Sequence, residues 1–201
     1  RPPHILLPCR ALEPVLLSSR SLKAVILGLT VIIAGCDRQS SEPAQPQASP
    51  AGKTGEGTLD ESHKGSEMPD FTFKDGSGKE LRLASLKGKP VLINLWATWC
   101  GPCVAELPTL QQLGADRKDQ LQVVVISQDM GKPEAVAQFL KDRGITQLGG
   151  WLDPDNQLAD HYKVETLPTT VYYDAAGREQ WRWVGGRDWG SADTAKLLNL
   201  K

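Results

Sequence analysis

Trp96-Ala97-Thr98-Trp99-Cys100-Gly101-Pro102-Cys103 decides how this chain reads. Ahead of it lies the apolar run Pro90–Leu95, and behind it Val104–Gly114 carries helical spacing. A buried strand running into a helix whose first turn holds a Cys-x-x-Cys pair is a redox arrangement. Zinc sites use the same spacing, but they need four ligands. No second Cys-x-x-Cys and no His-x-x-x-His follows here. With Gly-Pro between the cysteines, the pair reads as a dithiol.

Cys100 is the expected nucleophile. At a helix start its sulfur meets unpaired backbone amides and the positive end of the helix dipole, which favour thiolate. Such cysteines titrate at roughly 3.5–7.5, against about 8.5 when free. Gly101 allows a substrate backbone to come close, and Pro102 suits the first helical turn. Cys103, deeper in the helix, is the resolving thiol that attacks a mixed disulfide on Cys100. Glu106 follows Cys103 by one turn on the same face, in reach of the proton that Cys103 must lose.

Outward from this stretch the chain alternates strand and helix. Phe71–Phe73 and Glu80–Leu83 flank the turn residues Asp75–Gly78 and read as a hairpin. Pro90–Leu95 and the Val-rich Leu121–Ile126 read as strands covered on both faces. A helix opens at Pro133 and stops at Gly144, and a short one follows Asp153 as its cap. Strands at Thr169–Tyr173 and Arg178–Val184 and a closing helix at Ser191–Leu200 complete the chain. The expected fold is α/β: a central mixed sheet flanked by helices, with an added N-terminal β-hairpin. Trp96 is expected in the core, Trp99 at the contact surface, and Trp181, Trp183 and Trp189 as packing residues.

Trp-Cys-Gly-Pro-Cys matches the active site of thioredoxin. Together with Val91–Pro108, Asp153–Asp174 and Gly177–Gly185, it resembles the TlpA/ResA-like branch of the thioredoxin superfamily, over about Glu67 to the C-terminus. The resemblance implies a thioredoxin-like fold and a protein-disulfide reductase that needs no cofactor beyond the Cys100–Cys103 pair and no metal. It implies disulfide-containing protein substrates, such as apocytochrome c or misoxidised envelope proteins, and a transmembrane electron donor. A glutamate matching Glu106 tunes the cysteines in that branch. Leu167-Pro168 resembles the superfamily's cis-proline loop, which with Trp99, Gly101 and Pro102 forms the substrate contact. Pro108 resembles its helix-kinking proline. Two departures stand out. Thioredoxin's buried Asp is replaced by Asn94, which cannot titrate, and the usual Gly two residues before the proline is Thr166. Two other classes share the fold. A Sco-like copper-binding module uses Cys-x-x-x-Cys with a distal His. A peroxiredoxin-like peroxidase wants Thr where this chain has Ala97.

The N-terminal third reads differently. Arg20 and Lys23 precede the apolar run Ala24–Ala34 and then Gly35-Cys36. A basic start, a short apolar core and a small-residue cleavage site make a signal peptide, and the run is too short to span a bilayer comfortably. Ile33-Ala34-Gly35-Cys36 resembles a bacterial lipobox, which implies lipidation at Cys36. Asp37 resembles the signal that keeps such proteins at the periplasmic face of the inner membrane. Residues 1–36 are thus expected as signal peptide, the first ~19 of them upstream of the true start, since no Met precedes Met68. Cys9 falls in that stretch and receives no role. Residues 37–66, rich in Ser, Pro, Gln and Gly, are expected as a tether, and 67–201 as the folded domain. The 201 residues carry a net charge of -1, which gives nucleic acid no electrostatic footing.

Overall fold

The computed structural model describes residues 57–199; the signal-peptide, lipobox and Cys9 readings lie outside them. The order is β1 (Thr58–Asp60), β2 (Thr72–Lys74), β3 (Glu80–Arg82), a 3₁₀ turn (Leu83–Leu86), β4 (Val91–Trp96), α1 (Gly101–Asp116) and β5 (Gln122–Ser127). Then come α2 (Pro133–Asp142), β6 (Trp151–Leu152), α3 (Gln157–Tyr162), β7 (Thr169–Tyr173), β8 (Glu179–Val184) and α4 (Thr194–Leu197).

The described strands form one sheet in the order β1-β8-β7-β4-β5-β6-β2-β3. β4, β5 and β6 run parallel, and the remaining pairings are antiparallel. β4 lies at the centre and is buried at every residue, which its unbroken apolar run requires. Its side chains alternate between two cores. Leu92 and Trp96 pack with Leu107 and Leu110 of α1, Val136 and Leu140 of α2, and Leu198. Val91, Ile93 and Leu95 pack with Leu83 and Leu86 of the 3₁₀ turn and Leu158 and Tyr162 of α3. Helices therefore cover both faces.

Three elements depart from the sequence reading. The expected tether 37–66 gives way to folded chain within its last ten residues. β1 pairs with β8, Gly65 N–H donates to Glu179 O at 2.7 Å, and Glu179 N–H donates to Ser66 O at 2.9 Å. Main-chain bonds to the free edge of β8 hold this segment, so its shortage of apolar side chains does not exclude it. The closing helix is shorter than 191–200, starting at Thr194, with Asn199 at φ 50° just beyond its end. The short helix begins at Gln157 rather than directly after Asp153. The Asp153 carboxylate still accepts its first amides, from Gln157 at 3.0 Å and Leu158 at 2.8 Å.

Candidate active site

Cys100 is the residue at which β-like backbone turns into α1, and its sulfur accepts the Cys103 N–H at 3.3 Å. That is the bond a thiolate wants at a helix start. Cys100 and Cys103 are joined as a disulfide. Cys100 keeps 6% of its surface exposed and Cys103 none, so only Cys100 meets a partner first. Pro102 sits in the first helical turn, where it costs no hydrogen bond, and Pro108 lies inside the helix.

Glu106 is 3% exposed and fully engaged. Asn94 Nδ2 donates to Oε1 at 2.6 Å, while the Arg187 amide at 3.0 Å and Trp189 Nε1 at 3.2 Å donate to Oε2. Burial pushes its pKa from the ordinary 4.5 up to about 7, and these three donors hold it from rising further. A carboxyl poised near neutrality can hold a proton or take one. α1 is tied to the same loop again, since the Trp189 amide donates to Thr109 Oγ1 at 3.2 Å.

The Leu167-Pro168 peptide bond is cis. Two hollows meet there. One, of about 920 Å³, is lined by Trp99, Cys100, Asp129, Asp160, Glu165 and Leu167 among others. The other, of about 670 Å³, is lined by Gly101, Pro102, Glu106, Leu167, Pro168 and Arg187 among others. Trp99 projects into solvent, 71% exposed, whereas Trp96 is buried. The structure thus brings Trp99, Cys100, Gly101, Pro102, Cys103, Glu106, Leu167 and Pro168 to one region, and Cys36 lies outside the described residues. Among the described residues there is no group of three or more His, Cys, Asp or Glu able to hold a metal ion.

Sequence reasoning passed over the partners of Glu106. The sequence alone shows what Asn94 cannot do and gives Trp189 as a packing residue, and it joins neither to Glu106. The available signal was a polar residue inside an otherwise apolar central strand, which needs a buried partner. Asp129 was also missed.

The sequence model of the AhpC/TSA family matches residues 64–181. The thiol-disulfide oxidoreductase ResA of Bacillus subtilis (strain 168) is 37% identical over 116 residues, which span 57% of this chain and 64% of that relative. The ResA protein of Geobacillus kaustophilus (strain HTA426) is 37% identical over 114 residues, again 64% of its length. Among solved structures, a putative thiol:disulfide interchange protein DsbE from Chlorobium tepidum superposes with a TM-score of 0.57 at 30% identity, covering 68% of this chain and 93% of that one. The pneumococcal exposed lipoprotein thioredoxin Etrx1 of Streptococcus pneumoniae strain TIGR4 does so with 0.58 at 26%, covering 66% and 100%. The fold is thioredoxin-like.

Proposed function

The chain belongs to the AhpC/TSA family, and from that premise we propose that it is a thiol:disulfide oxidoreductase that reduces protein disulfides. The observation that carries this is Cys100, slightly exposed at the start of α1 and bonded to a fully buried Cys103.

In the reduced protein the Cys100 thiolate attacks one sulfur of a client disulfide. A Cys100–client disulfide forms and the other client sulfur leaves as thiolate. Cys103 then loses its proton and attacks the Cys100 sulfur, restoring the Cys100–Cys103 bond. The second client sulfur leaves, and two electrons have passed to the client. Glu106, one turn beyond Cys103 and poised near neutrality, receives the Cys103 proton. The cis Pro168, Leu167, Trp99, Gly101 and Pro102 form the surface on which the client chain lies extended. The pair needs no further cofactor.

The Gly-Pro between the cysteines favours a reducing potential, thioredoxin lying near about -270 mV and the oxidising members near about -120 mV. The signal-like segment and Cys36 support a lipid-anchored protein facing the periplasm. The residues before Cys36 would then be removed on maturation, leaving Cys36 as the N-terminus. The resemblance to the TlpA/ResA-like branch supports a transmembrane electron donor and clients such as apocytochrome c.

Two measurements test this. Cys103→Ser should halt the reaction at the mixed disulfide and retain clients covalently in cells. Recovery of no client, together with a Cys100 no more acidic than an isolated thiol, refutes the redox reading. Mass spectrometry of the mature protein should find an acylated Cys36 at the N-terminus; an N-terminus upstream of it refutes the anchor.

A further inference from the structure

β4 and β5 are parallel neighbours that end side by side, with Trp96 opposite Ser127. Past this point β4 must deliver Cys100 to the first amide of α1, and it does so through a turn in which the Cys100 N–H donates to Ala97 O at 3.1 Å. Thr98, inside that turn, commits both of its donors to one carboxylate. Its backbone N–H donates to Asp129 Oδ2 at 2.9 Å, and its Oγ1 donates to Asp129 Oδ1 at 2.7 Å.

Asp129 is itself pinned to the sheet. Ser127 Oγ donates to Asp129 Oδ2 at 2.5 Å and accepts the Asp129 N–H at 3.1 Å. The Gln128 N–H donates to Trp96 O at 2.8 Å, closing the gap between the two strand ends. Hydrogen bonds to an ionised acceptor are short and about twice as strong as neutral ones. A path of such bonds therefore runs from the end of β5 to a residue two positions before Cys100.

Helix-terminus stabilisation acts only within the first turn and depends on the angle at which donor meets acceptor. The Cys103 N–H to Cys100 sulfur contact at 3.3 Å is of that kind. We infer that Asp129 is a positioning residue for the redox pair: by holding Thr98 it sets how Cys100 meets the first amides of α1, and so how readily its sulfur ionises. The inference rests on the reading of Cys100 as the nucleophile.

Charged groups face this sulfur from several elements. Asp129, Asp160 and Glu165 line the hollow that Cys100 shares, and Glu106, Arg187 and Asp188 line the neighbouring one. The substitution compared within each background must therefore leave all of these charges as they are. Thr98→Val does so, removing the Oγ1 donor while keeping shape and β-branching, and Thr98→Ser keeps the donor.

The experiment is the pH dependence of Cys100 alkylation by iodoacetamide in the reduced full-length protein, read by mass spectrometry. Stability to urea is measured in parallel. Thr98→Val should raise the Cys100 midpoint by about half a pH unit, which cuts thiolate at pH values below it about threefold, and should make the redox potential more negative. Thr98→Ser should behave as wild type. In an Asp129→Ala background the same Thr98→Val change should move the midpoint by less than half as much, because its partner is already gone. An unchanged midpoint in Thr98→Val, or an equal shift in both backgrounds, overturns the inference while leaving the wild-type exchange intact. A wild-type Cys100 no more acidic than a free thiol overturns both this inference and the proposed function.

Discussion

Replacing Glu106 by Gln should change how stability depends on pH by an amount that the burial of its carboxyl sets. The side chain is 3% exposed, and burial lifts its pKa from 4.5 to about 7. At about 1.4 kcal/mol per pH unit, that gap is worth about 3 kcal/mol. The sign follows from proton occupancy. Below pH 4.5 both folded and unfolded chains hold the proton, and its extra binding in the fold stabilises fully. Between 4.5 and about 7 the unfolded chain releases it while the folded one keeps it, so stability falls as pH rises. Above about 7 the contribution is gone. Gln carries no such proton. Its oxygen can accept from the Arg187 amide and the Trp189 indole, and its amide can face Asn94, whose Oδ1 has no partner and can rotate into place. The assay is urea denaturation of the oxidised proteins at pH 4 and pH 8, so that the cysteines do not titrate. Stability of Glu106→Gln relative to wild type should rise by about 3 kcal/mol from pH 4 to pH 8. A difference constant to within about 1 kcal/mol would refute the idea that burial holds the proton on Glu106.

Three further outcomes are expected. Asn94→Leu removes a donor that holds the Glu106 pKa down, so NMR titration of that carboxyl should show a midpoint above that of wild type. Arg182→Met should cost about 3–5 kcal/mol in urea denaturation, because Glu179, 1% exposed and bound to Arg182 Nε at 2.6 Å, would stay buried without its partner; adding Glu179→Leu should restore much of the loss. Gly185→Ala should destabilise by about 1–3 kcal/mol and loosen β1 in hydrogen exchange, since φ is +105° there and a Cβ would meet Gly57 Cα at 3.0 Å.

What the sequence made legible was local. The apolar run ending at Trp96, the Cys-x-x-Cys behind it and the three-residue step to Glu106 are short-range patterns, and each maps onto one strand or one helix turn. β6 escaped because two residues, Trp151 and Leu152, cannot display an alternation. β1 escaped because its hold is the main chain of β8, which leaves no trace in side-chain composition. The site's other half escaped through distance along the chain. Arg187 and Trp189 reach Glu106 from more than eighty residues away, and Asp129 reaches Thr98 from thirty-one. Such meetings are made by the strand order, which brings β8 beside β7 and β7 beside β4.

The ring of Trp189 has one consequence outside chemistry. It gives its single N–H to the carboxyl oxygen whose charge comes and goes near neutrality, and it is 1% exposed, so water does not compete for it. Its ultraviolet emission should therefore change as that proton comes and goes, and subtracting the spectrum of Trp189→Phe separates it from the other five indoles. Titrating that difference spectrum with pH should give a midpoint at about 7.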